Sequence, residues 1–134
     1  MPYWNVDEEK KQERELKRYE ELRVEHSRRF TEITQLSSEL DTQQSLLRTY
    51  RGGEVRDFRH KPGKSGPYGY NETFEDITRP AGFFEKRKLP QKIYGLERTI
   101  SQIEQSIEQK KRDHDRWYDA NVTELKQYEK KYGK

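Results

Sequence analysis

The sequence predicts an all-α fold: a long antiparallel two-helix coiled-coil hairpin, with an extended, turn-rich loop between its arms. Three observations lead there. Glycine and proline, which end helices and make turns, are absent between Tyr3 and Arg51, and between Gln91 and Tyr132 only Gly95 occurs. Within those two stretches the apolar residues recur at alternating spacings of three and four, the pattern of a coiled-coil seam. The two seams also mirror each other in reverse order, as an antiparallel pairing requires.

The first arm covers residues 1–50. Asn5 is a good N-cap, and Asp7, Glu8 and Glu9 complement the positive end of the helix dipole. One seam row reads Tyr19, His26, Ile33, Leu40, Leu47. The other reads Leu22, Arg29, Leu36, Gln43, Tyr50, flanked by Leu16 and Phe30. Acid-then-base pairs four apart (Asp7/Lys11, Glu13/Lys17, Glu25/Arg29) each add ~0.2–0.5 kcal/mol.

The second arm covers residues 90–134. Pro90 suits a first helical turn, and Gly133 a helix end. Ile93, Leu96, Ile100, Ile103 and Ile107 form an unbroken seam. An eleven-residue step to Tyr118, a locally right-handed repeat, shifts the register to Val122, Leu125 and Tyr132. Tyr50 with Ile93, Leu47 with Leu96, Leu40 with Ile103, Leu36 with Ile107 and His26 with Trp117 all lie at positions summing to 143. Leu22 with Val122, Tyr19 with Leu125 and Leu16 with Tyr128 sum to 144. At ~1.5 Å rise per residue, each arm would be roughly 60 Å long. A two-helix seam leaves apolar surface half exposed, so self-association is compatible with this fold.

Midway the seam turns polar, at His26, Arg29, Lys110, Lys111 and His114. Two histidines on facing helices suggest a metal or acid–base site, but neither belongs to a His-Glu-x-x-His or Glu-x-x-His pair. A register-fixing polar layer, or stacking of His26 against Trp117, is the expected reading. No catalytic residue, cofactor or metal is expected.

The loop, residues 51–89, carries the functional information. The stretch from Arg51 to Pro90 holds four of five prolines and six of eight glycines. The net charge is −2 over residues 1–50, +4 over 51–92 and +1 over 93–134, which matches the total of +3. The excess cations lie in two clusters: Arg51, Arg56, Arg59, Lys61 and Lys64, then Arg79, Lys86, Arg87, Lys88 and Lys92. The acidic Glu72, Glu75 and Asp76 separate them. Six aromatics interleave with the charge: Phe58, Tyr68, Tyr70, Phe74, Phe83 and Phe84. Burying one such ring stabilises by ~1.5–3 kcal/mol, so the rings should contact either the helices or a partner. The loop should be extended and ordered by packing, with a short helix at Phe84–Lys88. Gly63-Lys64-Ser65 imitates the end of a phosphate-binding loop, but Phe58 stands where that motif needs its first glycine.

Composition narrows the function. The hydrophobic set is 28% and charged residues are 40%, against roughly 45–50% apolar in ordinary domains. A deep apolar pocket, and with it most enzyme chemistry, is therefore disfavoured. Cysteine is absent, which removes disulfides and thiolate ligands. No apolar run approaches ~20 residues, so no membrane span is expected. Without a signal-like N-terminus, an intracellular location (cytosolic, nuclear, organellar or virion-internal) is expected rather than secretion.

The sequence thus predicts a noncatalytic structural or assembly protein. It docks with protein subunits of a larger assembly through Phe58, Tyr68, Tyr70, Phe74, Phe83 and Phe84. The alternative is a nucleic-acid-binding accessory protein within a nucleoprotein complex. Its contacts to RNA or DNA would be Arg51, Arg56, Arg59, Lys61, Lys64, Arg79, Lys86, Arg87 and Lys88.

Overall fold

The computed structural model describes residues 6–61, 65–66, 69–70 and 73–133. Most of the described residues are helical. Two long helices, α1 (Val6–Arg51, 46 residues) and α2 (Phe83–Tyr132, 50 residues), are separated by four strands. Asp7, Glu8 and Glu9 do occupy the first turn of α1, and Arg48 and Arg51 its last, each favourable to the helix dipole. Among the described residues, no helix is long and apolar enough to cross a membrane. Asn5, the expected N-cap, lies outside the described residues, as do Lys64, Tyr68 and Glu72. Tyr70 lies in a strand of which only the backbone is described.

The all-α expectation needs correction. The segment between the helices is not merely extended and turn-rich; it folds as an antiparallel β-ribbon. β1 (Glu54–Lys61) pairs with β4 (Thr73–Pro80) in unbroken register, from Glu54 opposite Pro80 to Lys61 opposite Thr73. Two short strands, β2 (Ser65–Gly66) and β3 (Gly69–Tyr70), pair with each other. The ribbon strands contain residues that favour a pleated surface: Val55, Phe58, Thr73, Phe74, Ile77 and Thr78. At the ribbon's base the Gly52 N–H donates to the Arg48 carbonyl, and the Gly53 N–H to the Tyr50 carbonyl. Gly53 turns the chain with a φ of 72°, and its carbonyl accepts the Ala81 N–H at 2.9 Å. Two strands alone are marginally stable in water. Here Val55 anchors them in a small core with Ala81 and Leu89, against which Tyr50 and Ile93 pack.

A second difference concerns α2, which begins at Phe83 rather than near Pro90. The expected short helix at Phe84–Lys88 is its opening. Gly82 stands at the N-cap, where its carbonyl accepts the Lys86 N–H at 2.8 Å. Its own N–H donates to Glu85 Oε1 at 3.0 Å, the reciprocal half of a capping box. This cap fixes the start, and Pro90 falls within the helix.

The chain divides into two compact units, Met1–Ser37 with Gln105–Lys134, and Ser38–Glu104. In the first unit, α1 and α2 segments pair antiparallel. Arg18 Nε reaches Glu124 at 3.2 Å, Lys110 Nζ reaches Glu32 at 2.9 Å, and Lys131 Nζ reaches Glu15 at 2.9 Å. Leu22 and Ile107 are buried there, and Tyr19 packs against Tyr128 with ring centroids 6.4 Å apart. Phe30, expected beside the seam, is instead exposed. The second unit contains the ribbon, its small core, and buried Leu47, Ile100 and Ile103.

Candidate functional site

The ribbon's register sorts its residues onto two faces, because successive side chains alternate and directly opposed residues share a face. One face is ionic. It carries Val55, Asp57 and Arg59 from β1, opposite Arg79, Ile77 and Glu75 from β4. Arg79 locks this face to the start of α2. Its Nε donates to Asp57 Oδ2 at 2.8 Å, and its two terminal nitrogens donate to the Glu85 carboxylate at 2.7 and 3.0 Å. Such a two-pronged guanidinium–carboxylate pair fixes geometry as well as charge. Arg79 holds both carboxyls below the usual carboxylate range. The Phe58 N–H adds to the effect on Asp57, and the Gly82 N–H to that on Glu85. Farther along, Arg59 pairs with Glu75 at 3.1 Å.

The other face is aromatic. Arg56, Phe58 and His60 lie opposite Thr78, Asp76 and Phe74. Phe58 is 70% exposed and Phe74 67%, and the His60 ring meets Phe74 edge-on with centroids 5.5 Å apart. Near the base Arg56 reaches back to α1, donating to Ser45 Oγ at 2.6 Å.

The first turns of α2 carry a second aromatic group. Phe83 and Phe84 are exposed and meet edge-to-face at 5.4 Å. The Arg87 guanidinium lies over the Phe83 ring, 4.7 Å from its centroid.

Of the nine cations singled out from sequence, eight lie among the described residues. Arg51 pairs with Glu97 at 3.0 Å, while Arg59 and Arg79 are paired within the ribbon and Arg56 is hydrogen-bonded to Ser45. Lys61, Lys86, Arg87 and Lys88 are exposed. Sequence reasoning did not pick out His60, Tyr94 or Arg98. His60 lies two residues from Phe58, a signal legible once β1 is known to be a strand.

In the first unit the two histidines do meet, with ring centroids 5.2 Å apart. His114 stacks on Trp117 at 6.1 Å and 20°, His26 lies tilted beside the same ring, and Arg29 covers it at 5.5 Å. The His114 Nδ1 atom is buried without a hydrogen-bond partner among the described residues. Those residues contain no group of three or more His, Asp or Glu placed to hold a metal ion.

No protein-family model, curated protein or solved structure matches the chain.

Proposed function

We propose that this chain is a noncatalytic assembly protein, a helical hairpin that docks into a larger complex of protein subunits inside the cell. The observation that carries this reading is the aromatic face of the ribbon. Phe58 and Phe74 stand on one face at 70% and 67% exposure, with the His60 ring against Phe74. Exposed rings cost solvation in the free chain and supply most of the binding energy when a partner covers them. Their strands are anchored by Val55 and by the Arg79 ion pairs, so little order is lost on docking. Phe84, 75% exposed, adds a further open ring in the same unit.

The test is affinity capture from the source lysate, with and without nuclease, using the wild-type chain and a Phe58→Ala/Phe74→Ala variant. The expected outcome is a discrete set of proteins, retained after nuclease and lost from the variant. Retention of the same set by the variant would sink the proposal.

A second reading, nucleic-acid binding, is supported by a different region. Lys86, Arg87 and Lys88 form a run of exposed cations at the start of α2. It predicts capture that collapses with nuclease.

A further inference from the structure

The opening turns of α2 hold more positive charge than their sequence suggests. Residues 83–98 contain five cations and two acids. Both acids are occupied from outside this stretch: Glu85 by Arg79, and Glu97 by Arg51 at 3.0 Å. Lys86, Arg87, Lys88 and Arg98 make no ion pair with a described residue, and Lys92 lies over the Tyr50 ring at 5.5 Å. The structure therefore leaves the cations of this segment unneutralised.

They are also arranged. Leu89, Ile93, Ile100 and Ile103 mark the face of α2 turned toward the core. Phe83, Arg87, Tyr94 and Arg98 lie on the opposite face by the 3.6-residue period. Phe83 and Tyr94 are 68% and 63% exposed. Each has an arginine four residues on that covers one side of its ring, Arg87 at 4.7 Å and Arg98 at 6.0 Å. The two units are eleven residues apart, about three turns, so the same aromatic–guanidinium pair repeats on one line roughly 16 Å apart.

We propose that this stripe of α2 binds single-stranded nucleic acid. The inference rests on the second reading above and assigns it to particular residues and to a class of ligand. The flanking Lys86 and Lys88 suit phosphate contact, and lysine is depleted from the cores of protein–protein interfaces. Aromatic rings with one open side suit unpaired bases, which stack on them whatever their sequence. A duplex hides its bases from such rings, and polyglutamate offers only charge.

The test is fluorescence anisotropy of the full chain with a short labelled single-stranded oligonucleotide, the same sequence as duplex, and polyglutamate. The single strand should bind most tightly. With four phosphate contacts, affinity should fall roughly 50-fold between about 50 and about 200 mM salt. Phe83→Ala/Tyr94→Ala should weaken binding about tenfold or more. Arg87→Gln/Arg98→Gln should flatten the logarithmic salt slope by about 1.4. Arg59→Gln/Lys61→Gln on the ribbon should change little. All six side chains are exposed or surface-paired, and an unchanged helical circular dichroism spectrum verifies each fold. Equal affinity for duplex or polyglutamate overturns the single-strand assignment. Binding lost in the ribbon variant but kept in both stripe variants overturns the stripe and leaves the second reading standing. No binding of any oligonucleotide overturns both.

Discussion

Gly53 is the residue on which the turn from α1 into the ribbon depends. Its φ of 72° lies in the left-handed region, where a Cβ costs ~1–2 kcal/mol. Gly53→Ala should therefore lower stability by about 1 kcal/mol in urea unfolding. Gly52→Ala is the control: a Cβ there would make ordinary contacts, at 3.5 Å from the Arg48 and Thr49 carbonyl oxygens, and should cost much less. Arg79 is the other decisive residue: from β4 it reaches both Asp57 of β1 and Glu85 in the cap of α2. Asp57 and Glu85 have folded pKa values below their ordinary ones, so their ion pairs stabilise fully above the ordinary carboxylate range. That contribution is lost as pH falls through the lowered folded values. Thermal melts at successive pH values should show the wild-type midpoint dropping below about pH 4. Arg79→Ala should melt earlier at neutral pH and lose less on acidification.

At the scale of elements, α2 poses one question and answers another. Pro90 sits inside it, where proline removes a backbone donor and crowds the preceding turn. Pro90→Ala should raise stability by about 1–2 kcal/mol, the helical gain less the entropy returned to the unfolded chain. A lower thermal midpoint would show that the Pro90 geometry is required for packing Leu89 and Ile93. Proline at this position also explains what the sequence concealed. Its usual place in a first turn drew the boundary forward, whereas the true signal was Gly82 followed three residues later by Glu85. The two long helices were legible because their 3.6-residue periodicity runs for many turns. The ribbon was not, because its alternation is not apolar against polar. Val55 is the only buried residue in either strand, and charged, aromatic or threonine side chains hold most of the remaining positions on both faces. The six aromatics were recognised as a group, but only the register shows that Phe58, His60 and Phe74 share a face. The meeting of His26 with Trp117 follows from the mirrored seam, whereas the contact of His26 with His114 belongs to the metal or acid–base reading that the sequence disfavours.

At the scale of the whole molecule, the chain has nearly balanced charge, yet its surplus of positive charge and most of its exposed rings among the described residues fall in the same region of sequence. Arg51, Arg59 and Arg79 are held in ion pairs, Lys86, Arg87 and Lys88 stay exposed, and so do the rings. Phe30 shows that exposure alone is not the criterion. It is 63% exposed on α1, nearly as open as the ribbon rings, but has no aromatic neighbour among the described residues. The most direct measurement is therefore site-specific photo-crosslinking in source lysate, with a benzophenone side chain at position 58, 74 or 30. Docking through the ribbon predicts strong, discrete protein crosslinks from positions 58 and 74, unaffected by nuclease, and little from position 30. Crosslinks of equal strength and the same pattern from all three positions, or none from the ribbon, would contradict it.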